Sequence, residues 1–223
     1  MKREVAVDDL KKLYTAGDMA RVGCNGCQGC CDCCRGMGSS VVLDPLDIYR
    51  LVRGLQMDFS GLMEKYLELN AVDGVVLPNL QMASEKECCG FLNEEGRCAI
   101  HAFRPGLCRL FPLGRYYENG TFRYFLQKKE CRMEPKTKVR ISKWLGEPEL
   151  KKYEAYILAW HNLLEEIQEL LAGEKDEQLA KDMSVYLLNS FYIKGYRMDE
   201  EFYVQFEERR EQMEKLLSVL KRK

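Results

Sequence analysis

The distribution of cysteine constrains this chain more than any other feature of its sequence. All eleven cysteines lie between Cys24 and Cys131, and residues 132–223 contain none. The odd number, the three adjacent pairs and the lack of an apolar signal segment argue against a disulfide framework, because neighbouring cysteines bridge only with strain. A chain of 223 residues also buries enough surface to fold without cross-links. The cysteines therefore indicate metal ligation.

The densest group of cysteines lies in a glycine-rich segment between Gly23 and Gly38, which reads GCNGCQGCCDCCRGMG. Two overlapping registers of the motif CxxCxxCC occur there, one ending at Cys31 and the other at Cys34. Glycine lets the backbone approach an ion or cluster closely, and soft thiolate ligands select zinc, cuprous copper or iron–sulfur clusters. The segment therefore predicts a metal site, although spacing alone does not select the register.

The overall composition argues against several classes of partner. The chain carries 34 basic and 35 acidic residues, so it has no basic coat for nucleic acid. No apolar run approaches the roughly 18 residues that cross a bilayer. We therefore expect no membrane partner and a cytoplasmic location, where thiols stay reduced. Residues 128–143 are locally basic, with seven Lys or Arg against two Glu, which fits a solvated strand or linker or, alternatively, a nucleic-acid or anion patch.

Short elements are predicted for the cysteine-bearing part of the chain, and long helices for the rest. The patterns indicate helices over residues 5–19, 45–55 and 60–70, a strand over 41–43, and turns at Asp73-Gly74, residues 93–96 and Asn119-Gly120. Beyond Pro148, three helices are predicted over residues 148–173, 176–194 and 199–220. We therefore predict an α+β fold, mostly α. A small irregular cysteine-rich metal module with short β-hairpins, residues 1–143, precedes a C-terminal helical bundle, residues 144–223, that packs on it.

Motifs beyond the first cluster resemble those of a known family. They are Arg-Gly-Met-Gly directly after the double cysteine, Leu-Asp-Pro-Leu-Asp-Ile over residues 43–48, Cys89-Gly-Phe-Leu, Gly96-Arg97-Cys98 with His101, Arg104-Pro105-x-x-Cys108-Arg109-x-Phe111-Pro112, and Cys131. Over about residues 24–143 the chain resembles the YkgJ-type cysteine-cluster proteins, also described as the CxxCxxCC or zinc- or iron-chelating domain family.

The resemblance implies a register and a set of metal ligands. Because the double cysteine of the family directly precedes Arg-Gly-Met-Gly, the matching register ends at Cys34. The implied ligands are Cys27, Cys30, Cys33, Cys34, Cys89, Cys98, Cys108 and Cys131. Cys24, Cys31 and Cys88 depart from the pattern, as spare thiols, substitutes or ligands of an additional ion.

Eight ligands suit two sites of four cysteines each. Adjacent side chains of an extended segment point in opposite directions, so we expect Cys33 and Cys34 to serve different sites. The hypothesis assigns Cys27, Cys30 and Cys33 to one site with one distal cysteine, and Cys34 to a second site, as in two-cluster ferredoxins. The sequence allows either two [4Fe–4S] clusters or zinc as the bound metal, and the surplus of thiols favours iron–sulfur.

Four further polar residues lie close to the cysteines in the sequence. Arg104, Arg109 and Arg115 would neutralise thiolate charge, or alternatively bind a substrate. His101 is either a substitute ligand, since imidazole binds zinc and iron, or a neighbour of the ligands.

These features predict a metal-binding protein with a redox or electron-transfer role and an unidentified redox partner. One alternative is a structural zinc-binding interaction module whose helices bind a protein partner. Another is a protein lysine methylase-like enzyme, because some flagellin lysine-N-methylases carry a similar cysteine cluster. The sequence contains no Ser/His/Asp elbow, phosphate loop or dinucleotide motif, so any catalysis would belong to the metal.

Overall fold

A computed structural model describes residues 6–23, 30–83, 87–131, 133–134, 136–173 and 176–222. Its helices are α1 (Pro45–Leu55), α2 (Phe59–Lys65), α3 (Gly106–Leu110), α4 (Ile141–Leu145), α5 (Leu150–Gly173), α6 (Glu177–Leu188) and α7 (Phe202–Leu220). Its strands are β1 (Leu13–Tyr14), β2 (Met19–Gly23), β3 (Leu67–Val72), β4 (Val75–Leu80), β5 (Met82–Ala83), β6 (Cys88–Cys89), β7 (Leu113–Glu118), β8 (Thr121–Leu126) and β9 (Thr137–Arg140). With 48% helix and 21% strand, the predicted α+β, mostly α class is confirmed.

The strands form four small antiparallel sheets. One sheet has three strands in the order β1-β8-β7, and the others are the pairs β2-β9, β3-β4 and β5-β6. The predicted turn at Asn119-Gly120 joins β7 to β8, and both residues take positive φ, at 52° and 69°. Four residues of the locally basic segment, Thr137–Arg140, form β9, so part of it is a strand.

The helix predicted over residues 5–19 is wrong. A single 3₁₀ turn at Val7–Asp9 is followed by β1 and β2. A turn separates the two strands, because the Asp18 carboxylate accepts hydrogen bonds from the Thr15 amide at 2.7 Å and the Thr15 hydroxyl at 2.8 Å. Pairing of β1 with β8 and of β2 with β9 then overrides the local helical pattern.

The helix predicted over residues 60–70 is shorter in the structure and has 7 residues, Phe59–Lys65. It is capped by Asp58, whose carboxylate accepts a hydrogen bond from the Gly61 amide at 2.8 Å, and it ends at Lys65. Residues 67–72 instead form β3, which pairs with β4 around the predicted Asp73-Gly74 turn. Six consecutive backbone pairs in this hairpin outweigh the helical pattern.

Helix α1 begins where the sequence predicts. Asp44 caps it with a reciprocal arrangement, accepting from the Asp47 amide at 2.9 Å while the Asp47 carboxylate accepts from the Asp44 amide at 3.2 Å. Both carboxyl groups are buried, and this burial raises their pKa values. The Tyr156 hydroxyl of α5 donates to Asp44 at 3.0 Å, so the cap also joins α1 to a C-terminal helix.

The C-terminal helices share one apolar core with the cysteine-bearing segments. Trp160 of α5 packs edge-on against Phe191, and Phe206 of α7 lies 5.8 Å from Phe191 between ring centres. Cys34 and Cys89 belong to this same core. No helix in the described ranges is both long and apolar enough to span a membrane. The division at residue 143 stays a prediction.

A buried ionic cluster joins three parts of the chain. Glu147, whose side chain is 2% exposed, accepts two hydrogen bonds from Arg50 of α1, at 2.9 and 2.7 Å. Arg109 of α3 lies 3.3 Å from the same carboxylate. This shared carboxylate therefore holds α1 and α3 against the segment that precedes α5.

We predict that Glu147→Ala lowers the free energy of unfolding by about 3–5 kcal/mol, because it leaves two buried guanidinium groups without their counterion. Urea denaturation followed by circular dichroism measures this loss. The matched control is Glu201→Ala, which removes a half-exposed carboxylate 2.8 Å from Lys152 and should cost much less, because water screens an exposed ion pair. Equal losses in the two variants would contradict the structural role of Glu147.

Candidate metal centre

The turn at Asp32–Cys34 carries the double cysteine of the CxxCxxCC register that ends at Cys34. It lies beside β6, because Arg35 pairs with Cys88 and the Gly36 amide donates to the Glu87 carbonyl at 2.7 Å. Gly36 takes a φ of +62°, which glycine adopts without steric cost. The backbone thus brings the first cysteine segment next to Cys89.

A tight loop returns Cys98 to the same region. The Gly96 amide donates to the Asn93 carbonyl at 3.0 Å, which closes the turn predicted at residues 93–96. Leu92 and Cys98 then pair across the loop. The sequence Asn-Glu-Glu-Gly therefore folds the chain back so that Cys89 and Cys98 approach each other.

Helix α3 supplies Cys108 and is anchored to α1. The Gly106 amide donates to the buried Asp47 carboxylate at 2.7 Å. A side chain at Gly106 would not fit, because its Cβ would lie 2.8 Å from the Tyr153 hydroxyl oxygen. This close packing fixes the short helix and therefore the position of its thiol.

Six cysteines line one cavity, which we call the thiol cavity, with a volume of about 70 Å³. They are Cys30, Cys33, Cys34, Cys89, Cys98 and Cys108. All six belong to the ligand set that the family resemblance implies. Of the other two, Cys131 is buried but absent from the cavity wall, and Cys27 lies outside the described residues.

The expectation that Cys33 and Cys34 point in opposite directions is wrong. Both lie in a 3₁₀ turn rather than an extended segment, and their Sγ atoms are 3.9 Å apart. Two thiolates on one tetrahedral zinc, each about 2.3 Å from the metal, would be about 3.8 Å apart. The pair therefore has the spacing of two ligands on one ion.

The donor chemistry of the thiol cavity fits zinc or iron–sulfur, since both take thiolate ligands. Among the described residues, no three Cys, His, Asp or Glu side chains converge closely enough to hold one ion as they stand. The assignment of all eight cysteines as ligands therefore stays a prediction.

Two of the thiols are acidic. A hydrogen bond with Cys34 lowers the pKa values of Cys33 and Cys98 to about 7, and the positive charge of Arg104 contributes. The same hydrogen bonds raise the pKa of Cys34, the shared partner. Burial raises the pKa of Cys89 to about 11 and that of Cys108 well above its usual value. A metal would therefore displace protons from at least the buried thiols.

The three arginines near the cysteines have different surroundings. Arg104 lines the thiol cavity, and its Nε is buried without a hydrogen-bond partner among the described residues. Arg109 pairs with Glu147, and Arg115 donates to the Tyr153 hydroxyl at 2.8 Å. Of the three, Arg104 is the one placed to offset thiolate charge.

His101 also lines the thiol cavity, and its ring nitrogen Nε2 contacts the Arg104 guanidinium. Its side chain is largely exposed to solvent. Partial burial and then the charge of Arg104 lower the pKa of His101. The imidazole is therefore neutral at pH 7, which is the form that binds metals.

Two of the three cysteines outside the family pattern, Cys31 and Cys88, are described by the structure. Cys31 accepts a hydrogen bond from the Arg35 Nε at 3.1 Å, and Cys88 is half-buried in β6. Neither lines the cavity. Cys24 lies outside the described residues.

Sequence reasoning missed the residues that position the thiols. Asp47 anchors α3, and Trp144 closes one side of the thiol cavity while its indole donates to the Phe111 carbonyl at 3.2 Å. Asp47 belongs to the Leu-Asp-Pro-Leu-Asp-Ile segment that carries the family resemblance, so this motif could have indicated a role for Asp47 at the site. The contact with Gly106, 59 residues away, has no local sequence pattern.

Comparison with known proteins gave one match. The family model CxxCxxCC, described as "Putative zinc- or iron-chelating domain", matches residues 24–145, more than half of the chain. The match includes every cysteine of the sequence. Neither the curated proteins nor the solved structures contain a match to this chain.

We predict that Cys89→Ser lowers metal affinity at least about tenfold, because it removes a thiol from the cavity wall. The adjacent substitution Cys88→Ser is the matched control and should leave affinity within about twofold, since Cys88 does not line the cavity. Elemental analysis after dialysis against graded chelator measures both. Equal metal loss from the two variants would show that the thiol cavity is not the site.

Proposed function

The chain belongs to the CxxCxxCC family, and from this membership we propose that its metal centre is an iron–sulfur centre used for electron transfer. The proposal assigns the ligands to the six cysteines of the thiol cavity, with Cys27 and Cys131 completing the set. A redox partner in the reducing cytoplasm completes the proposed role.

The number of thiols in one cavity is the observation that carries the proposal. A tetrahedral zinc ion takes four ligands, whereas six cysteines line this cavity. A surplus of thiols on a single cavity favours a polynuclear centre, for which cysteine-ligated iron–sulfur clusters are the common protein example. With one shared cavity, this proposal replaces two separate four-cysteine sites with one centre or two adjoining ones.

The surroundings of the thiols suit a redox centre. Apolar side chains, including Val41, Ile100 and Phe111, line the cavity beside the thiols and limit the access of water. An iron–sulfur cluster supplies one-electron transfer, with a potential set by net charge, hydrogen bonds to sulfur and solvent exposure. Arg104 would place a positive charge beside the thiolates and so favour the reduced, more negative state.

Zinc is the second candidate, and one distance favours it. The 3.9 Å between the Cys33 and Cys34 Sγ atoms suits two thiolates on one ion. A zinc-loaded chain would be a structural module, because zinc has no redox chemistry. Its function would then depend on a protein that binds its surface.

Metal and sulfide analysis of anaerobically purified protein separates the two candidates. We expect iron and acid-labile sulfide in about equal amounts, with visible absorption that bleaches on reduction with dithionite. Reconstitution with zinc provides the colourless comparison. Zinc without labile sulfide in the purified protein would reject the iron–sulfur proposal in favour of the structural module.

The charge of Arg104 provides a second test of the redox role. We expect Arg104→Gln to lower the midpoint potential, because removal of a positive charge destabilises the reduced centre. Arg97→Gln is the control: Arg97 lines the same cavity but is exposed, so water and salt screen its charge and the shift should be smaller. Equal potentials in wild type and both variants, by spectroelectrochemical titration, would contradict this role of Arg104.

A further inference from the structure

A second cavity, of about 290 Å³, adjoins the thiol cavity. Residues of α3, β7 and β8 line it together with residues 37, 40 and 41. Cys33, Val41, Cys108 and Phe111 line both cavities, so two cysteines form part of the boundary between them. Most of the other lining side chains are apolar, among them Met37, Leu113 and Phe125.

One charged side chain, Arg115 of β7, lines this second cavity. Its Nη2 donates to the Tyr153 hydroxyl at 2.8 Å, and the Tyr117 phenol is another hydrogen-bond partner. The guanidinium also lies 5.7 Å from the ring centre of Phe122. Its Nε is inaccessible to solvent and has no hydrogen-bond partner within the described ranges.

Among the described residues, Arg115 is attracted by the Asp44 carboxylate only from beyond ion-pair distance. Within the part of the chain that the structure describes, the guanidinium forms no ion pair. The nearby buried carboxyl groups have other partners: Asp44 accepts from Tyr156, and Asp47 accepts from Gly106. Neutral phenols and ring faces hold the cation in place without neutralising it. With no ion pair and with Nε unpaired among the described residues, this guanidinium can take a bound anion as a further partner.

We propose that the second cavity binds a small organic carboxylate, with its carboxylate on Arg115 and its apolar body against Met37, Leu113 and Phe125. A guanidinium suits a carboxylate because its parallel N–H groups match the two oxygens. A single cation balances a single negative charge, which favours a monocarboxylate. The volume lies near the lower end of the range for small-molecule sites. The proposal does not depend on which metal the thiols bind.

Calorimetric titration of the purified, metal-containing protein with hexanoate tests the proposal. Hexanamide has nearly the same shape without the charge. We expect hexanoate to bind at least about tenfold more tightly, because a charge-assisted hydrogen bond is worth more than a neutral one. Equal affinity for the two compounds, or no heat of binding with hexanoate, would overturn the proposal even without any variant.

Two substitutions locate the bound carboxylate. Arg115→Gln should weaken hexanoate binding about tenfold or more. Arg123→Gln is the matched control, since Arg123 lies on the adjacent strand β8, is exposed and does not line the cavity. This variant should bind hexanoate with the affinity of the wild type. Unchanged binding in Arg115→Gln would place the carboxylate elsewhere, for example on the metal, and would overturn the proposal.

A third variant covers the case in which Arg115→Gln does not fold, since Arg115 also holds Tyr153. Ser40→Leu adds bulk at a half-buried lining position without touching the arginine, and it should abolish hexanoate binding. Full affinity in a folded Ser40→Leu protein would contradict the proposed site. Metal content measured on the same samples keeps this result separate from the outcome of the iron–sulfur proposal.

Discussion

The hydrogen bond from the Gly106 amide to the buried Asp47 carboxylate is the contact on which the arrangement of thiols depends. It ties the helix that carries Cys108 to the first turn of α1, where Asp44 and Asp47 cap each other. Tyr156 joins the same group through two hydrogen bonds, one to Asp44 and one from the Leu46 amide. A distal cysteine and the long helix α5 are thus held by one pair of buried carboxyl groups.

Charge around the cysteines is arranged in two layers. Hydrogen bonds to Cys34 lower the pKa values of Cys33 and Cys98, and the charge of Arg104, in the wall of the thiol cavity, adds to the effect. Behind it, Arg50 and Arg109 meet on Glu147. Glu147 offsets part of the charge of these two arginines, whereas Arg104 lines the thiol cavity itself.

Local signals in the sequence predicted the parts of the fold that local contacts determine. The Asp44-Pro45 cap, the Asn119-Gly120 hairpin and the three C-terminal helices are present in the structure. The predicted helix over residues 5–19 failed because its segment pairs with β8 and β9, more than 100 residues away. The hydrophobic pattern of one segment does not show which distant strand will pair with it.

The candidate site, too, was predictable only in part. The family resemblance identified the cysteines, and six of them line one cavity. The side-chain directions of Cys33 and Cys34 required the turn geometry, which a run of cysteines does not reveal. The sequence allowed two roles for Arg115, and only the packing of β7 against α5 shows that its guanidinium bonds to a tyrosine hydroxyl, Tyr153.

The common core of the chain has a thermodynamic consequence. Cys34 and Cys89 pack in the same cluster as Trp160 and Phe206, so we expect the cavity wall and the C-terminal helices to unfold together as one unit. A ligand that binds only the folded cavity stabilises that whole unit, by about 1.4 kcal/mol for each tenfold excess over its dissociation constant. Metal supply in the cell would thereby set the lifetime of helices that contain no cysteine at all.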